Sequence, residues 1–176
     1  MISFRYLVEV DFSRPQREVF AFLEDPQSLI EAGLATSVTG SVGRRGRGTL
    51  IFTDGSETTF RVKRCDPPNR TVIDHMSHPA WAIALNRTAA VKLREENRYM
   101  PTPSGCRLVR GVRVEMINLQ TNKPNGAELL RQESLQGTTE GLNQLQAALL
   151  RHGPPSGTPS LPGEVGLRAQ DPDLNE

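Results

Sequence analysis

The sequence predicts an α+β fold: an antiparallel sheet followed by one long C-terminal helix. Three observations carry this. Residues 2–12 alternate polar and apolar with a period of two. Residues 35–117 do so again, in six runs broken by turn residues. Residues 125–152 then switch to helical spacing. The order strand, helices, six strands, long helix is an α+β arrangement with about seven strands.

In the first strand Phe4, Tyr6, Val8, Val10 and Phe12 share one face, and Ser3, Arg5, Glu9 and Asp11 the other. Ser13-Arg14-Pro15 stops it and opens a helix, with Ser13 as the expected cap and Pro15 near the first turn. Val19, Phe20, Phe22 and Leu23 give that helix its apolar side, and Asp25-Pro26 ends it. A second short helix is expected over Gln27 to Glu31, closing at Ala32-Gly33. Strands follow near 35–42, 47–54, 57–65, 70–77, 86–100 and 105–117. Asp54-Gly55 is a hairpin signal, Asp66-Pro67-Pro68-Asn69 a rigid corner, and Thr102-Pro103-Ser104-Gly105 the turn of the longest pair. Residues 77–85 read equally as loop or edge strand.

The last helix is expected to run from Asn125, with Glu128 at capping-box spacing, to His152, before Gly153-Pro154. Leu135, Thr138, Leu142, Leu145 and Leu149 form its apolar stripe, which continues into Arg131 and Glu128. Gly137 and Gly141 lie inside the helix, each costing about 1 kcal/mol relative to alanine. Such a face is a poor plug for a dry core and suits a lid over a cavity. Residues 1–152 thus make one domain, and the Pro/Gly-rich stretch 153–176 reads as a disordered tail.

The formal charge of +1 argues against a general polyanion binder, so no nucleic-acid partner is expected. Cys65 and Cys106 lack CxxC spacing and read as reduced thiols of a cytoplasmic protein. The first residues contain no signal-peptide h-region, and no apolar run reaches the roughly 20 residues that span a bilayer. His75 and His78, three apart on a strand, point to opposite faces and cannot share a metal. Gly40 to Gly48, with Arg44, Arg45 and Arg47, lacks both a following helix and a Gly-Lys-Ser/Thr; it reads as a solvated hairpin tip. No zinc spacing, dinucleotide fingerprint or Ser-His-Asp elbow occurs, so neither metal nor cofactor is expected.

Four segments, in order, carry a resemblance. They are Val8-Glu-Val-Asp-Phe-Ser-Arg-Pro-Gln-Arg-Glu-Val-Phe20, Val62-Lys-Arg-Cys-Asp-Pro-Pro-Asn-Arg-Thr-Val-Ile73, Pro103-Ser-Gly-Cys-Arg-Leu108 and Gly141-Leu-Asn-Gln-Leu-Gln-Ala-Ala-Leu-Leu150. Together they resemble the START-like, Bet v 1-like superfamily (SRPBCC), the polyketide cyclase/dehydrase and lipid-transport group, over roughly residues 1–152. Cys106 stands where threonine is usual. The aromatic residue common in the family's second short helix is absent from Gln27 to Gly33, so the pocket mouth is expected to differ. The resemblance implies a helix-grip fold, in which a curved antiparallel sheet wraps the last helix around a hydrophobic cavity.

Strand parity then places side chains. A register pairing Tyr99 with Cys106 sets Glu95 opposite Arg110 and puts Val91, Leu93, Val112, Val114 and Met116 on the buried face. Glu95, Asn97 and Arg110 fall on that face too, either inside the pocket or solvated at its rim. The leading reading is a module that binds a small hydrophobic molecule such as a lipid, quinone or polyketide. Its expected contacts are Phe22, Phe60, Trp81, Val91, Glu95, Asn97, Arg110, Val112, Leu135, Leu142 and Leu145. The alternative is a polyketide cyclase/aromatase- or dehydratase-like enzyme, with Glu95, Arg110 and His75 as candidate catalytic residues. A second alternative, from ribosome- and chaperone-associated relatives, is a protein-interaction module with a filled interior.

Overall fold

A computed structural model of the chain describes residues 2–80, 88–119 and 125–153. Its elements are β1 (Ile2–Phe12), α1 (Gln16–Leu23), α2 (Gln27–Glu31), β2 (Ala35–Gly40), β3 (Arg47–Phe52), β4 (Glu57–Asp66), β5 (Arg70–His78), β6 (Ala90–Thr102), β7 (Gly105–Ile117) and α3 (Gly126–Leu150). The strands form one antiparallel sheet in the order β1-β7-β6-β5-β4-β3-β2. Its two edges stay unpaired with each other, and α3 packs against β1, α1 and α2 across the open side. This is the helix-grip α+β fold, with both short helices directly after β1.

Turn chemistry fixes the connections. Gly55 takes φ +82° in the β3–β4 hairpin, where the Asp54 carboxylate accepts hydrogen bonds from the Ser56 amide (2.8 Å) and hydroxyl (2.9 Å). The Asp66–Asn69 corner joins β4 to β5, closed by a bond from the Asn69 amide to the Asp66 carbonyl. A bulge between Val62 and Arg64 bends β4.

Three details differ from the sequence reading. The β6–β7 hairpin pairs Thr102 with Gly105, so Tyr99 opposes Leu108, Asn97 opposes Arg110 and Glu95 opposes Val112. The expected register would place Pro103 third in the turn, where its ring disfavours the preceding helical-region residue. The observed one places it second, with Gly105 fourth. The slip is two residues, so every side chain keeps its face. Second, α1 is capped by Pro15 and α3 by Asn125, neither through its side chain. Glu128 instead binds Arg131 (2.9 Å) and Gln132 (3.1 Å). Third, β6 begins at Ala90 rather than 86, with residues 86 and 87 outside the described set. Trp81, most of the 77–85 stretch and residues 154–176 likewise lie outside it.

The interior does not close into one core. A large cluster joins β1, β6, β7, α1 and α3 through Tyr6, Val19, Leu108, Val114, Leu142 and Leu149. A second, smaller one holds Leu50, Phe60, Val62 and Ile73 on β3, β4 and β5. Between them lies a cavity.

Candidate functional site

The cavity has a volume of about 420 Å³, within the range of small-molecule sites. Leu50, Phe60 and Ile73 wall it on the sheet, Leu142 and Leu145 on α3, and Leu29 and Leu34 at α2. Gly137 and Gly141 face it from α3. A Cβ at Gly137 would meet nothing within 4 Å, and one at Gly141 only Leu34 Cδ1 at 3.8 Å. The two costly helix glycines therefore leave open space rather than accommodate a close neighbour.

One wall is polar, and strand register assembles it. Thr71, Asn97 and Arg110 are lateral neighbours on β5, β6 and β7, and Glu95 lies two residues from Asn97 on the same face. The Arg110 Nε donates to Asn97 Oδ1 (2.8 Å), and its Nη2 sits 3.2 Å from Glu95 Oε1. Asn97 Nδ2 donates to the same Glu95 oxygen (2.7 Å). Asn97 is 1 % exposed, so its amide bridges the ion pair to what lies behind it.

At the far end of that amide is Glu24, delivered by the C-terminus of α1 and itself lining the cavity. Its Oε1 accepts hydrogen bonds from Thr71 (2.6 Å), Asn97 (3.2 Å) and the Tyr99 hydroxyl (2.5 Å). Burial pushes the Glu24 carboxyl above its ordinary range, against the opposing effect of the Thr71 and Tyr99 donors. Glu95 goes the other way. Burial opposes its charge, but Arg110, then His75 and the Asn97 hydrogen bond, outweigh it and hold the carboxyl low. A buried and a mostly buried carboxyl joined through one amide are thus driven apart in acidity, an arrangement that separates an acid from a base.

His75 also lines the cavity, between Phe60 on β4 and Leu93 on β6. Its Nε2 is buried with no hydrogen-bond partner among the described residues, and burial lowers its basicity, so the ring is neutral near pH 7. On the α3 side, Tyr6 Oη and Thr138 Oγ1 share a hydrogen bond of 2.9 Å.

Of the residues named from the sequence, Phe60, Glu95, Arg110, Val112, Leu142 and Leu145 line the cavity, as does His75. Asn97 sits behind the wall and supports it. Val91 is buried in the large core cluster, Leu135 packs at its border, and Phe22 packs there edge-on to the His152 ring. These three are not among the cavity's lining: Val91 and Leu135 lie further along their elements than the residues that line it, and Phe22, next to lining residues Leu23 and Glu24, points instead toward His152. His78 is exposed at the end of β5. Among the described residues no cluster of His, Cys, Asp and Glu fits a metal ion. The sequence reading missed Glu24, Tyr99, Thr71, Tyr6 and Thr138. Glu24 alone carried a signal, since a carboxylate at a helix C-terminus opposes the helix dipole.

No family model and no curated protein matches the chain by sequence. Solved structures do match in shape. An uncharacterised protein from Rhizobium leguminosarum aligns with a TM-score of 0.64 at 19 % identity, over 85 % of this chain and 95 % of that one. The di-domain ARO/CYC protein StfQ from the steffimycin biosynthetic pathway aligns at 0.61 and 11 % identity, over 86 % of this chain and 52 % of its own. Ara h 8.0201 aligns at 0.58 and 12 % identity, over 85 % and 99 %. At such identities the likeness shows the fold, and the fold is Bet v 1-like. No described helix is long and apolar enough to cross a membrane.

Proposed function

We propose that this chain binds a small hydrophobic molecule in the cavity between sheet and α3, with the molecule's polar end against Glu95, Arg110 and His75. The observation that carries this reading is the cavity itself: one apolar body and one polar wall, left open by two helix glycines. Apolar contact would supply most of the affinity, about 2.5 kcal/mol for each 100 Å² of ligand surface buried. The unpartnered His75 Nε2 offers the ligand one hydrogen bond, and Arg110 retains N–H donors beyond those it spends on Glu95 and Asn97. The StfQ and Ara h 8.0201 likenesses support the fold that encloses this cavity.

Native mass spectrometry of protein purified from its own host tests the reading, with Gly141→Leu as the matched control. A retained small molecule that disappears in the variant supports it, because the new side chain occupies the cavity while the helix gains propensity. Retention by neither protein, together with no displacement of a hydrophobic dye, would refute it.

A second reading has its own observation. Glu24, Glu95, Arg110 and His75 converge on one cavity, a set of groups suited to proton-transfer chemistry on a carbonyl compound. In that case Arg110 would polarise the carbonyl and Glu95 or His75 would move the proton. A protein-interaction module with a filled interior draws no support from an open cavity of this size.

A further inference from the structure

The outer face of the same sheet carries a row of arginines that the cavity does not need. Strand register aligns Arg5, Arg113, Arg94, Asp74, Arg61 and Arg47 side by side across six strands. Like charges directly opposite one another destabilise a sheet, and here Arg5, Arg113 and Arg94 are consecutive. Asp74 holds Arg94 at 2.7 Å and Glu115 holds Arg113 at 2.8 Å, which leaves Arg5 with no ion pair among the described residues. Beside this end of the row runs a groove of about 460 Å³. Its floor is Gly111, where an added Cβ would meet nothing within 4 Å, flanked by Val109 and by Leu7, which is 57 % exposed. Arg5, Arg94, Arg98 and Arg113 rim it, and Glu96 in the rim is already paired with Arg70 and Arg98 (2.8 Å each).

An occupant fitting this groove has one apolar side chain among several carboxylates. The chain itself contains such a segment: Asp171-Pro172-Asp173-Leu174-Asn175-Glu176. Residues 164–176 hold four carboxylates, Glu164, Asp171, Asp173 and Glu176, against Arg168, a net of −3. The whole chain is +1, so the residues before them carry +4. Reach suffices. Gln146 of α3 hydrogen-bonds the Asp11 carbonyl on edge strand β1 (2.6 Å), and Leu7 lies four residues back along that strand, about 13 Å away. The 17 residues from 154 to 170 can span up to about 56–61 Å.

We propose that residues 171–176 dock in the outer-face groove of β1, β7 and β6, Leu174 over Gly111 and the carboxylates on Arg5, Arg94, Arg98 and Arg113. The contact is intramolecular, covers the like-charged row and is released by salt. The cavity takes no part in it.

Site-specific photocrosslinking of the full chain tests this, with photoreactive benzoylphenylalanine in place of Leu174. The expected result is intramolecular crosslinks to residues 5–7 and 109–113, with yield falling about tenfold in Gly111→Val and again in Arg5→Glu/Arg113→Glu. Gly111→Val puts side-chain volume on the groove floor, where the Cβ meets nothing within 4 Å, and thermal melting checks that both variants stay folded. Crosslinks scattered over the surface, crosslinked dimers alone, or an unchanged yield in folded Gly111→Val would each overturn the proposal.

Discussion

The sheet carries charge on both faces, and the two faces treat it differently. On the inner face Glu95 and Arg110 are mostly buried, and Asn97 binds both. On the outer face Arg94 and Asp74 make a bidentate pair of better geometry, 2.7 and 3.0 Å, while Arg94 remains 57 % exposed. Geometry alone would rank the outer pair first. Solvent reverses the ranking, because water and salt screen the outer pair, whereas loss of one inner partner strands a buried charge.

The largest expected effect therefore follows Arg110→Met. It leaves the Glu95 charge without its counter-ion and Asn97 Oδ1 without its Arg110 donor, and should cost about 3 kcal/mol in chemical denaturation. Arg94→Ala should cost under about 1 kcal/mol, and its cost should vanish in high salt. Equal costs for the two would mean that the inner pair is as wet as the outer one. Between them falls Tyr99→Phe, which removes one of three donors to buried Glu24, at about 1–2 kcal/mol by the same measurement.

Titration separates the faces further. His75 has a lowered folded-state basicity, so its contribution is present above the ordinary imidazole value of about 6.5 and is lost as pH falls below it, when the unfolded chain takes up the proton first. Glu24 is raised, so it has the opposite sign: its contribution is present at acid pH and fades as pH rises through its folded value. Melting curves from pH 8 to 5 should show His75→Asn losing less stability on acidification than the parent, and Glu24→Gln gaining most near neutrality. Parallel curves for parent and His75→Asn would contradict a buried neutral imidazole.

Much of this was legible along the chain. Strand parity put Glu95, Asn97 and Arg110 on the inner face correctly even with the hairpin slipped by two residues, since a slip of two preserves every face. Leu142 and Leu145 were legible as the covering stripe of α3, and Gly137 and Gly141 as evidence that the cover is thin. Val91 and Leu135 were placed on the right side of their elements and yet miss the cavity, while Phe22 turns away from it toward His152. Periodicity gives a side chain's direction but not how far along the element the cavity extends.

What the sequence determined by itself is what local chemistry dictates: the order of elements, the Asp54-Gly55 and Asp66–Asn69 turns, the inward and outward faces and the class of fold. The tertiary structure decided which distant residues meet. Glu24 lies 47 residues from Thr71, 73 from Asn97 and 75 from Tyr99, and no period or spacing links them. Nor does any local pattern align Arg5 with Arg113, which only the β1–β7 register brings together. Backbone preference and side-chain alternation act over a few residues, whereas the polar wall and the arginine row are set by how seven strands pair.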